Sequence, residues 1–368
     1  METTKIQGQE SWKVSSPSVE AFVSRTGGMV GPVRFMVDGR SIEPFSVAPW
    51  SEEDLSNEPP LIRALRGDFF CMPFGHGPDP YLGETHPIHG EAANGEWQFD
   101  SLHGSTLDLV FECKIRPCKV YKTVRCGDGV IYQKNTVLGL SGPMSYGTHA
   151  MVQFRSPGLI GTNKVDKCQV FPGKFENPGA GGYSSLREGE EFDDLSRAPL
   201  ATGGTTDLTS YPARAGFEDL VQYSVSNTDP LGWATVTFPQ EGYVYFQIKN
   251  LSVLASTVLW FSHGGRHYAP WNGRHRNVLG IEEVTSYFHL GLRGSVMPNP
   301  LASRGVATFR DFHPGEPLDV RTIQGVCAIP DGFDKVVHVV ATGAGLVLVS
   351  ESGARVEVPV DVMFLGLR

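Results

Sequence analysis

The sequence predicts an all-β protein, a large antiparallel β-sandwich, and three observations carry that prediction. Short runs rich in Val, Ile, Tyr, Phe and Thr recur along the 368-residue chain, and these residue types suit a pleated, half-buried surface. Glycine (43) and proline (26) are frequent and follow no period, against typical usage of about 7% and about 5%, so turns are many and strands short. Helical periodicity is nearly absent, with only SEEDLSNEPPLIRALRG (51–67) offering a short helical turn. Closely spaced strands without alternating helices argue for antiparallel sheets rather than parallel βαβ units.

The elements follow in order. VEAFVSRTGGMVGPVRFMVDG (19–39) reads as a hairpin about Gly27-Gly28. STLDLVFECKI (105–115), CKVYKTVRC (118–126) and GVIYQKNTVLGL (129–140) are three strands in series, the last two joined at Gly127-Asp128-Gly129. SYGTHAMVQF (145–154) continues the pattern. Further strands are expected in WATVTFP (233–239), YVYFQIKN (243–250), STVLWFSH (256–263) and NVLGIEEV (277–284). DKVVHVVATG (334–343), GLVLVSES (345–352) and ARVEVPVDVMFL (354–365) complete the set. The stretch from about 172 to 215 is rich in Gly, Ser, Pro and acids. Strand character is the same on both sides of it, so it reads as a loop insertion across one face of a single domain spanning 1–368.

Composition narrows the function. Hydrophobic residues make up 40% of the chain, charged residues only 19%, and the net charge is -9. That charge disfavours nucleic acid, which requires a basic face. METTKIQGQESWK lacks the apolar centre of a signal peptide, and no run nears the roughly 20 apolar residues of a membrane span. A cytoplasmic location away from membranes is expected. None of the six cysteines forms a CxxC pair, and the spacing of Cys113, Cys118 and Cys126 fits no common zinc pattern.

Candidate chemistry concentrates in four places. HPIHGEAANGEW (86–97) sets His86 and His89 beside Glu91 and Trp97. Residues three apart on a strand point to opposite faces, so this spacing suggests no metal. Arg66, in LRGDFFCMPFG (65–75), carries a planar fork suited to paired oxygens. His149 enters an apolar run at a sheet edge. APWNGRHRNVLGIEEVTSYF (269–288) brings Trp271, Arg274 and His275 to a strand that ends in Glu282-Glu283. Alternation turns one of these acids inward, where burial raises its pKa toward that of a general base; the residues leave open which one. Trp97 and Trp271 adjoin polar clusters, and aromatic faces stack on pyranose rings.

These segments are similar, in the same order, to those of the galactose mutarotase-like (aldose 1-epimerase) superfamily. HGEAANGEW resembles the family's sugar-binding histidine loop and LRGDFFCMPFG the arginine segment before it. GTHAMVQF resembles the strand of the general-acid histidine and VLGIEE that of the general-base glutamate. The resemblance implies a supersandwich fold, a carbohydrate ligand and no cofactor. It implies His149 as general acid, Glu282 as general base with Glu283 its rival, His89 and Arg66 as sugar ligands, and a hydroxyl contact at Asp219 in GFEDLVQY. Glu91 and Ala93 replace the family loop's Phe and Arg, which puts a phosphorylated sugar in doubt. The expected activity is anomer interconversion. The alternatives are a non-catalytic carbohydrate-binding protein and a glycan hydrolase or lyase on the same fold.

Overall fold

The alternating runs pair antiparallel in a computed structural model of the chain, which describes residues 2–77, 79–225 and 230–367. The hairpin about Gly27-Gly28 joins Val19–Ser24 to Val30–Val37. It belongs to a five-stranded N-terminal sheet, whose Trp12, Val14, Val23 and Phe35 enter the same core as Leu107, Val120 and Ile131. The short helix is Pro60–Ala64. Among the described residues no helix is long and apolar enough to cross a membrane.

Two sheets dominate the described residues. The nine-stranded one runs, in spatial order, Ser210–Tyr211, Gly158–Thr162, Leu231–Phe238, Tyr243–Asn250, Leu318–Ala328, Val130–Leu138, Cys118–Cys126, Thr106–Cys113 and Gln98–His103. The seven-stranded one carries the candidate site. Its strands are β1 (Phe70–Cys71), β2 (Tyr146–Gln153), β3 (Val165–Val170), β4 (Glu191–Phe192), β5 (Glu218–Val225), β6 (Ser256–Ser262) and β7 (Val278–Thr285), in the order β4-β3-β5-β6-β7-β2-β1.

Position in the sheet decides how each strand reads. Cys118–Cys126 alternates buried with more exposed residues, as a sheet with one wet face does. Strands β6 and β7 are buried at every residue, because both of their faces are covered. Polar side chains on such strands must find partners. Between the layers, Asp68 Oδ2 accepts from Gln133 Nε2 at 2.7 Å and Gln324 Nε2 at 2.9 Å, while its Oδ1 accepts the His149 backbone N–H at 2.9 Å.

One expectation changes. The strand foreseen over 354–365 stops at Val358, where Pro359 offers no N–H to the ladder, and a 3-10 turn follows at Val362–Leu365. The 172–215 stretch consists of loops, short turns and two-residue strands that pack on the sandwich. Leu186, Leu195, Ala198 and Leu208 are buried in the main core, and 3-10 turns begin after Asn177 and Asp194, whose side chains accept backbone N–H groups.

Candidate functional site

Strands β2 and β7 pair with His149 opposite Glu282. Opposed residues share a face, so the register alone brings imidazole to carboxylate. His149 Nε2 lies 3.2 Å from Glu282 Oε1. The other oxygen, Oε2, meets Nε2 of His289 at 2.5 Å; His289 sits in the turn just beyond β7. His89 arrives from the 86–97 loop with φ of 58°, and its Nδ1 accepts the Gly75 N–H at 3.2 Å. The next residue, Gly90 (φ 82°), lies so close to Met72 that a Cβ would stand 1.9 Å from its carbonyl oxygen. Only glycine lets this loop bring His89 inward.

The three imidazoles face one another. Ring centres are 5.1 Å apart for His89 and His149, 5.0 Å for His89 and His289, and 6.0 Å for His149 and His289. Phe69 stacks on His149 at 4.7 Å, and Phe74 meets His89 and His289 edge-on at 4.9 and 5.2 Å. Burial pushes the His149 imidazolium down to about 4, opposed by Glu282. Burial also drives His89 well below the usual histidine range, helped by the neighbouring imidazoles. Both rings are therefore neutral near pH 7. Glu282 has no exposed surface, whereas the His289 side chain is 18% exposed, so the cluster meets solvent on that side.

An aromatic wall adjoins the cluster. Trp260, on β6, stands edge-on to His149 at 5.8 Å. Its Nε1 donates to Glu218 Oε2 at 2.9 Å, and Glu218 Oε1 accepts the Gly265 N–H at 3.0 Å. Burial pushes the Glu218 carboxyl up to about 7, with Arg266 opposing. Arg266 lies across Trp271 at 4.4 Å and near Trp260 and Phe175, and its Nε donates to Glu176 Oε1 at 2.6 Å.

No family model and no curated protein matches the chain. Solved structures do. A candidate aldose 1-epimerase from Escherichia coli K12 superposes with a TM-score of 0.59 at 16% identity, covering 88% of this chain and 100% of that one. A galactose mutarotase-like protein from Lactobacillus casei ATCC 334 gives 0.57 at 11% identity, covering 86% and 99%. A candidate aldose 1-epimerase from Klebsiella pneumoniae gives 0.54 at 12%, covering 88% and 80%. The chain has the galactose mutarotase-like fold. The low identities mark it as a divergent version.

On this mutarotase-like sandwich the expected site residues separate. His149, Glu282 and His89 converge as described, and Trp271 lies under Arg266 beside them. Five others are placed away from this cluster. Glu283 points to the opposite face of β7, where it pairs with Lys249 and accepts from Thr257 Oγ1 at 2.7 Å. Arg66 is fully buried and donates to the carbonyls of Ala64, Ile6 and Gln7 at 2.8–3.0 Å. Its donors brace the backbone instead of facing a ligand. Trp97 packs on Phe111, and its Nε1 donates to the Ala92 carbonyl at 2.9 Å. Asp219 accepts Ser185 N–H at 2.8 Å, Ser185 Oγ–H at 2.6 Å and Leu186 N–H at 3.0 Å. Arg274 is paired with Glu53 at the surface. The residues around the cluster that the sequence reading did not single out are His289, Trp260, Arg266, Glu218 and Glu176. Strand parity could have found Glu218, which lies one residue from Asp219 and so on the other face.

Proposed function

We propose that this chain is an aldose 1-epimerase-like isomerase that interconverts sugar anomers. Glu282 Oε1 takes the proton of the anomeric hydroxyl while His149 Nε2 gives one to the ring oxygen. The bond from C1 to the ring oxygen breaks, and the sugar opens to its aldehyde. The C1–C2 bond rotates, and reclosure with the roles reversed yields the other anomer. The donor is the imidazolium form of His149, a minor form that burial disfavours and the Glu282 carboxylate favours. After ring opening His149 is neutral and Glu282 protonated, and reclosure returns both protons, so the cycle needs no net acid.

One observation supports this reading above all: the 3.2 Å separation of His149 Nε2 and Glu282 Oε1. The two oxygens to be served are bonded to the same carbon, so donor and acceptor must be close neighbours. Glycoside hydrolysis instead uses two carboxylates about 5–10 Å apart. The sugar enters from the His289 side and displaces that imidazole from Glu282. Phe175, half-buried and edge-on to His289 at 6.3 Å, offers an apolar surface to the ring. Arg266 is already neutralised by Glu176, which favours a neutral sugar over an anionic one.

Polarimetry on freshly dissolved anomers of a panel of neutral aldoses tests the proposal. The wild-type chain accelerates mutarotation of at least one of them. Glu282→Gln and His149→Ala each slow it about 10²–10⁴-fold with unchanged circular dichroism. No acceleration of any sugar would retire the isomerase in favour of a carbohydrate-binding protein.

A further inference from the structure

We propose that His89, His149 and His289, with Glu282, form a binding site for one divalent transition-metal ion of the zinc and cobalt class. One ligand atom from each of the three imidazoles falls within 4.8 Å of the others. With metal–nitrogen bonds of about 2.0–2.1 Å, ring centres around a tetrahedral ion stand about 5 Å apart. The observed separations are 5.0, 5.1 and 6.0 Å. The rings thus already stand at the spacing that such an ion imposes.

A second, independent observation points the same way. Glu282 Oε1 and His149 Nδ1 are buried without a hydrogen bond; the imidazole Nε2 of His149, 3.2 Å from Oε1, is not aligned to make one. An orphaned acceptor of this kind costs about 1–3 kcal/mol, and a cation beside the carboxylate relieves it. The donor set of imidazole nitrogens and a carboxylate suits zinc, nickel and cobalt better than calcium or magnesium, which prefer all-oxygen shells. Loading requires small movements only. The 2.5 Å contact of His289 with Glu282 opens to the ligand spacing of about 3.3 Å around a tetrahedral ion. His89 binds through Nε2, its proton moves to Nδ1, and the 3.2 Å bond from Gly75 is given up. Phe69 and Phe74 pack against the rings and hold them in place.

The inference goes beyond anomer interconversion and does not depend on it. The two uses are mutually exclusive at any instant, since ion and sugar both require His149 and Glu282. An ion holds His289 down over the pair, and a sugar has to lift it.

The test is a titration of the full chain, stripped by chelator, with Co²⁺ in the absence of sugar. The expected result is a visible ligand-field band that saturates at one ion per chain and disappears when Zn²⁺ is added. His289→Gln, which can still bond Glu282, and His89→Ala should each weaken Co²⁺ binding more than about 100-fold, beyond what outer-shell changes alone achieve. Circular dichroism reports whether each variant is folded. A missing band in the wild-type chain overturns the site, as does an undiminished band in both folded variants. Either result leaves polarimetry free to stand or fall by itself.

Discussion

Adjacent acids on β7 meet opposite surroundings. Glu282 faces imidazoles, while Glu283 is buried against Lys249 and Thr257. Removing one partner of a buried pair leaves an uncompensated charge, which costs about 3–5 kcal/mol, whereas apolar replacement of both is often neutral. Glu283→Ala should therefore lower unfolding stability in urea by about that amount. Lys249→Met combined with Glu283→Leu should recover most of it. A Glu283→Ala protein of unchanged stability would show that this pair contributes nothing. That His149, Glu282 and His89 lie close together could be expected from the resemblance of their segments to one family. Which acid faced the cluster was not legible, because that depends on the register of β2 against β7, a pairing between distant segments. His289 was hidden for the same reason: nothing local distinguishes SYFHLG (286–291) from any strand-ending turn.

The 172–215 stretch shows how the packing of a loop escapes composition. Its Gly, Ser and Pro content announces a loop, but the leucines at 186, 195 and 208 are buried, and they follow no period that a sequence scan detects. Asp219 pins this segment to β5 through the N–H groups of Ser185 and Leu186. Asp219→Ala should free the segment locally, at about 1–3 kcal/mol for the unpaired donors. Limited proteolysis should then cut within 172–215 before the main sandwich unfolds, and simultaneous loss of both would contradict a local tie. The 86–97 loop poses a sharper steric test. Gly90→Ala puts a methyl into the Met72 carbonyl at a left-handed position. It should destabilise the chain by more than about 1 kcal/mol and abolish Co²⁺ binding by moving His89. A variant with wild-type melting and metal binding would refute that account.

For the molecule as a whole, the nine-stranded and seven-stranded layers were readable from alternation and turn spacing, since those follow from the chain's own pleat. The acids buried among them were not, since burial arises only when both faces of a sheet are covered. Burial pushes Asp68 up to about 6 and Glu218 up to about 7. A carboxyl whose folded pKa is raised binds protons more tightly in the native state. Its stability contribution is complete below the unfolded value and is lost as pH rises through the folded one. The contribution of these two carboxyls should therefore decline between about pH 4 and pH 7, each by on the order of 3 kcal/mol, while His89, His149 and His275, buried as neutral rings, contribute a rise over the same window. Glu218→Gln should flatten the upper part of that decline in urea melts taken at several pH values. A slope unchanged by the substitution would exclude Glu218 as its source.

The Asp68 carboxylate gives this a mechanical corollary. One of its oxygens holds the peptide of His149, and the other is clasped by amides from the far layer. The strand of His149 is thus guyed to the back of the protein like a mast to its deck. Slackening a stay at Gln324, deep in the opposite ply and remote from any ligand, would let the imidazole drift out of true with its acid.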